Sequence, residues 1–135
     1  MTQRKPRLTT RFEDLAAALR ACAQGVPCLV AAVELLIGHR FWLRREDFLE
    51  RFVEVYVEEM TGRGLAFVDW TAAVGAGRLA CSDGERQVLA IAASLAEGVP
   101  VDLRDALGGL DAPTVALVVA AVETSTGHGP GAVWW

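Results

Sequence analysis

Lysine is almost missing from this chain. Lys5 is the only one, and every other basic residue is arginine. With the heavy use of alanine, valine and glycine, that bias reads as the imprint of a GC-rich genome and not of a binding function. Histidine occurs twice, as His39 and His128, so a nucleophile has few bases to activate it. His128 stands in a glycine-rich tail. His39 stands beside a helix end, where a protonated imidazole suits the helix dipole. Cysteine occurs three times, as Cys22, Cys28 and Cys81. Cys22 and Cys28 flank a Gly-Val-Pro turn, yet an odd count without a tight pair fits reduced, structural thiols and a cytoplasmic protein.

Motifs are missing as well. The chain has no Cys-x-x-Cys, no His-x-x-x-His and no Asp-rich loop, which argues against zinc and against EF-hand calcium. It has neither a Walker loop nor Gly-x-Gly-x-x-Gly; Gly62-Arg63-Gly64 reads as a turn. No cofactor, metal site or catalytic residue is expected. Long apolar runs are absent too. The two longest, Val26 to Val33 and Val115 to Val122, are cut at Glu34 and Glu123. Both fall well short of the roughly 18–20 residues of a membrane span. The basic N-terminal stretch lacks a following apolar segment, so no signal peptide is expected.

What is present is apolar bulk. Hydrophobic residues make up 53% of 135 residues, with a mean hydropathy of +0.31 and a formal net charge of -4. One domain is expected, large enough to bury roughly two-thirds of its unfolded surface. The apolar content has two readings: a compact Ala/Val-rich core, or apolar surface covered by a partner or a second copy.

The pattern predicts an all-α, single-domain globular bundle of about six helices. Residues 1–10 read as a flexible basic arm, 11–126 as the helical domain, and 127–135 as a Gly/Pro tail ending in Trp134-Trp135. Thr10 and Glu13 have the capping-box pattern ahead of a stripe of Phe12, Leu15, Ala16, Leu19 and Cys22. Gly25 stops that helix, and Pro27 suits the first turn of the next, which runs to about Ile37 with Glu34 as its only charge. A third helix starts near Arg45 with Phe48, Leu49, Phe52, Val53, Tyr56 and Met60 at helical spacing. From Val53 on, a strand period competes: Val53, Val55 and Val57 alternate with Glu54, Tyr56 and Glu58. The helix is expected to reach about Val57. Leu65 to Val68 reads as a short extended run, Asp69 as a cap, and Ser82 with Glu85 as a second capping box. Asp102 caps a short helix. Asp111 caps the last one, whose Val115 to Val122 is apolar on every side. A helix without a polar face is expected at the centre, wrapped by its neighbours.

Several of these stretches carry a resemblance. They are Asp69-Trp70-Thr71-Ala72-Ala73, Gly77 to Glu85, Ala92 to Ala96, Pro100 to Asp105 and Gly109 to Asp111, with Trp42 to Phe48 upstream. Together they resemble a family of small uncharacterised helical proteins common in GC-rich actinobacteria. The resemblance spans roughly residues 35–127 and implies a context but no mechanism.

Two surface features point to partners. Glu46, Glu50, Glu54 and Glu58 recur every four residues, which on a helix makes one acidic ladder, either a solvated face or a docking stripe for a basic partner. Trp134 and Trp135 are interface-anchor residues at the end of a Gly/Pro linker, folding back on the core or entering a partner's groove. Both suit a non-enzymatic interaction module (an adaptor, regulator or inhibitor) that binds another protein or itself. The alternative is a small DNA-associated regulator using Arg4, Lys5, Arg7, Arg11, Arg40, Arg44 and Arg45. Against it, Asp83 to Glu123 holds seven acidic residues and two basic ones, and the last helix offers Val, Leu and Ala, with a single Thr near its start, where base-reading side chains are needed. An enzyme using Cys81, which precedes a helix start, is the third reading.

Overall fold

The computed structural model describes residues 2–4, 11–76 and 79–128. Seven α-helices and a small antiparallel sheet lie among them. Helix α1 spans Phe12–Ala23, and Gly25 (φ 86°) turns the chain into α2, Pro27–His39, with Pro27 in its first turn. After a single 3-10 turn at Trp42–Arg44 comes α3, Glu46–Phe52. Strands β2, Val53–Glu58, and β3, Gly64–Val68, form a hairpin, and β1, Thr2–Arg4, pairs with the other edge of β2. Helices α4 (Trp70–Gly75), α5 (Asp83–Glu97), α6 (Leu103–Leu107) and α7 (Ala112–Ser125) complete the chain.

The fold is therefore mostly helical but not all-α. Helix α3 stops at Phe52, and residues 53–58 follow the strand period that competes with the helical stripe. Alternation explains the outcome. Val53 and Val55 point into the core while Glu54 and Tyr56 lie on the other face, and β3 repeats the pattern with buried Ala66 and Val68. A helix over the same residues would spread three valines and two glutamates around its girth. The paired strands satisfy both the backbone and the apolar face. Residues 2–4, inside the stretch read as a basic arm, are the third strand.

The centre of the fold is α2 and not the last helix. Helix α7 is not wrapped by its neighbours: only Val118 and Ala121 are buried on it. The central helix is α2, whose Ala31, Ala32, Val33, Leu35, Leu36 and Ile37 are all buried. It packs against α1, α5 and α7. The approach of α2 and α7 is close at Gly38, where an added Cβ would lie 2.8 Å from Leu117 Cδ2. A uniformly apolar helix carries no angular preference in its own sequence, so its buried side is set by whichever element reaches it first.

Caps hold where the sequence places them from Asp69 onward. Ser82 and Glu85 form the full reciprocal box, with Ser82 N donating to Glu85 Oε1 at 2.7 Å and Glu85 N to Ser82 Oγ at 3.1 Å. Asp69, Asp102 and Asp111 each accept from the backbone N–H three residues on. At α1 the cap is Arg11 without a side-chain hydrogen bond, and Thr10 lies outside the described residues.

The aromatic wall of the core is Trp42, Phe48 and Phe52, in successive tilted ring contacts. Trp42 is 1% exposed and its indole N–H donates to the Glu85 carbonyl at 2.9 Å, tying the 3-10 turn to the start of α5. Replacing Trp42 with Phe keeps a ring but removes that donor and leaves part of the indole volume unfilled, and should cost about 1–3 kcal/mol. Chemical denaturation checks this. An unchanged midpoint would mean that the indole hydrogen bond contributes nothing net.

Candidate functional site

The most conspicuous surface lies on α7. Ala112, Val115, Ala116, Val119, Val122 and Glu123 share its outward side, and all are exposed. Val115 is 39%, Val119 54% and Val122 49% exposed, large values for valines standing next to one another on one helix. Glu123 is the only charge between Ala112 and Ser125. At its C-terminal end the helix approaches the start of α2. Cys28, at the start of α2, points its Sγ at the Ser125 carbonyl 3.8 Å away, and Val26 just before it is 50% exposed. Grouped apolar exposure of this kind marks a contact surface, whereas single exposed apolar residues are ordinary.

A second cluster gathers around Phe12. The guanidinium carbons of Arg40 and Arg44 lie 5.1 and 5.2 Å from its ring centroid. Arg40 holds a left-handed backbone (φ 69°) at the end of α2, the one described non-glycine residue with positive φ. Arg11 begins the same helix as Phe12 and stands 3.8 Å from Glu13. Arg45 is committed elsewhere. Its Nε donates to Asp47 Oδ1 at 2.9 Å, it reaches the Ala80 carbonyl, and it lies over Phe41 and Trp42 at 5.4 Å from each. The hydrogen bond from Arg45 holds the Asp47 carboxyl below its usual range. The structure thus brings Arg40 and Arg44 together, while Arg45 is engaged with Asp47, the Ala80 carbonyl and two rings. Arg4 belongs to β1, and Lys5 and Arg7 lie outside the described residues.

The acidic ladder does not survive folding as one stripe. Glu46 and Glu50 are on α3, whereas Glu54 and Glu58 are on β2, beyond the helix end. Glu58 accepts from Thr61 Oγ1 at 2.6 Å within the hairpin turn. Two different backbone periods carry the four carboxylates, so the four-residue spacing has no common face. Trp134 and Trp135 lie outside the described residues.

Between α1, α2 and the hairpin is an open cleft of about 1040 Å³, bordered by Ala17, Ala21, Val30, Tyr56 and Arg63. At its mouth Arg20 and Glu34 make a two-pronged ion pair, at 2.7 and 3.0 Å. All three cysteines are free thiols. Among the described residues no group of three or more His, Cys, Asp or Glu is placed to hold a metal ion. No helix among them is long and apolar enough to cross a membrane. The α7 surface is what residue types alone miss. Ala112, Val115, Val119 and Val122 recur at three- and four-residue steps, but on a helix apolar all round that spacing does not single out this side.

His39 closes the inner end of α2. Its Nδ1 is buried without a hydrogen-bond partner. Burial lowers its pKa, partly opposed by the carboxylates of Glu85 and Asp111 at the starts of α5 and α7. The folded protein therefore holds the imidazole neutral where the unfolded chain accepts a proton. Stability attributable to His39 is full above the ordinary value of 6.5 and is lost as pH falls from there toward the lowered folded value. Denaturation midpoints taken between about pH 7.5 and 5 should fall with acidification, and His39→Gln should flatten that slope. An equal slope in the variant would exclude His39 as its source.

No family model matches the chain, and neither a curated protein nor a solved structure matches it.

Proposed function

We propose that this chain is a non-enzymatic cytoplasmic protein-interaction module, an adaptor, regulator or inhibitor that binds another protein or itself through the outward face of α7. The observation that carries the reading is the exposure of Val115, Val119 and Val122 side by side on one helix. Leaving three valines in water forgoes burial worth roughly 25 cal/mol per Å² of apolar surface, and a partner recovers it. The rest of the chain supports the same direction. Its two histidines are apart, with one near the carboxylates at the starts of α5 and α7 and the other beyond the end of the last helix. The free thiols fit the cytoplasm. Membership in the family of small helical actinobacterial proteins is part of this proposal and adds no mechanism to it.

A photoreactive amino acid placed at position 119 in cells should yield a protein adduct, and the same probe at position 50, an exposed acidic site, should not. Val119→Glu should abolish assembly without changing the far-ultraviolet spectrum, because the side chain it replaces is not part of the core. Equal adducts at both positions would remove α7 from the reading.

The alternative is a DNA-associated regulator, and the pairing of Arg40 and Arg44 around Phe12 is the observation in its favour. Two exposed guanidiniums held by one ring form a weak, sequence-blind phosphate contact. The interaction reading expects no shift of a random duplex at low salt. A salt-dependent shift abolished by Arg40→Glu with Arg44→Glu would reverse the order of the two proposals.

A further inference from the structure

The open cleft between α1, α2 and the β2–β3 hairpin, about 1040 Å³, has the size of a small-molecule site. Its walls are aliphatic. Ala17 and Ala21 come from α1, Val30 and Val33 from α2, and Val55 and Val57 from β2. Among the described residues Tyr56 is the one aromatic on its border, and that ring is stacked on Phe67 at 5.5 Å, on the other face of the hairpin from Val55. The cleft therefore offers no ring face to a planar ligand. No described Ser, Thr, Cys or His borders it, so it presents no nucleophile with an imidazole beside it.

The charges at its rim are unevenly matched. Arg20 and Glu34 satisfy each other at 2.7 and 3.0 Å. Arg11 and Asp14, one of each sign, stand where α1 begins. The other end, where α1 gives way to Gly25, is different. There Arg63 has no carboxylate partner among the described residues. Its Nη2 donates to Gln24 Oε1 at 3.4 Å, which leaves the Gln24 amide N–H groups as further donors beside the guanidinium. Arg63 and Gln24 are thus a donor set for one small anion at the end of an aliphatic trough.

We propose that this cleft binds an aliphatic monocarboxylate, a medium-chain fatty acid, with its carboxylate on Arg63 and Gln24 and its chain along Ala21 and Ala17. This site goes beyond the interaction reading and does not depend on it. Charge fixes the head. One unmatched guanidinium, planar and forked, balances one carboxylate, whereas a phosphate near two negative charges would be left uncompensated. The walls fix the body, because alanines and valines cover a methylene chain and give a flat ring nothing to stack on. Length fixes the class. Gln24 and Ala17 are about 10 Å apart along α1, the reach of decanoate and not of acetate.

Titration of the full chain with decanoate, kept below its micelle concentration and followed by nuclear magnetic resonance of the backbone amides, tests the site. The amides of Gly25, Arg63 and Gly64 should shift and saturate with a Kd below about 1 mM. Decanol, which lacks the charge, and naphthoate, which lacks the aliphatic chain, should each bind at least about tenfold more weakly. Arg63→Glu should weaken decanoate at least about tenfold and leave decanol unchanged, with the far-ultraviolet spectrum of the parent. Ala17→Phe, at an exposed position, fills the trough and should weaken both ligands.

No shift up to about 1 mM decanoate overturns the proposal. Shifts centred on Val115, Val119 and Val122 would mean adsorption to the exposed side of α7 and overturn it equally. Decanoate held as tightly by Arg63→Glu removes the head from the cleft, and naphthoate held as tightly as decanoate removes the aliphatic body.

Discussion

Everything in this fold depends on the burial of α2. It enters on Pro27, carries a single carboxylate at Glu34, and is otherwise apolar from Cys28 to Ile37. A helix of that composition has to be surrounded, and α1, α5 and α7 supply three sides of the enclosure. The one charge finds an exit. Glu34 reaches the surface and is held there by Nε and Nη2 of Arg20, so α2 brings no carboxylate into the core.

The aromatic wall follows from that enclosure. Where α2 ends, Arg40 turns left-handed and the chain folds Phe41 against Trp42 and Trp42 against Phe48. The Trp42 indole then fixes the start of α5 through the Glu85 carbonyl. Glu85 also completes the Ser82 box with its side chain, so one residue joins a helix cap to the core by two different atoms. The same corner brings His39 near the acidic starts of α5 and α7, which makes it the place where proton binding and packing meet.

Covering α2 leaves α7 half used. The helix gives its Val118 and Ala121 side to the core and turns Val115, Val119 and Val122 outward. A chain in which hydrophobic residues make up 53% admits two outcomes, a larger core or an apolar surface, and α7 is where the second appears. The arginines show a parallel division of labour. Arg45 is drawn into Asp47 and the rings beneath it, while Arg40 and Arg44 remain at the surface over Phe12.

Local capping chemistry was legible in the sequence from Asp69 onward; at α1 the expected Thr10–Glu13 box gives way to Arg11 as a cap without a side-chain hydrogen bond. The Ser82–Glu85 box, the Asp69, Asp102 and Asp111 caps, the stop at Gly25 and the Pro27 start each involve residues a turn or less apart, and all stand where the pattern puts them. Two matters were decided only in three dimensions. Residues 53–58 carry both a helical and a strand period, and pairing with Gly64–Val68 on one edge and Thr2–Arg4 on the other tipped them to strand. That choice also split the Glu46, Glu50, Glu54 and Glu58 ladder between two elements. The second was the orientation of α7, which has apolar side chains all round. The sequence alone determined that it is a helix of this length with a cap at Asp111. Which of its sides meets α2 and which meets solvent is fixed by long-range packing, such as the close approach at Gly38 and Leu117, and no local pattern encodes it.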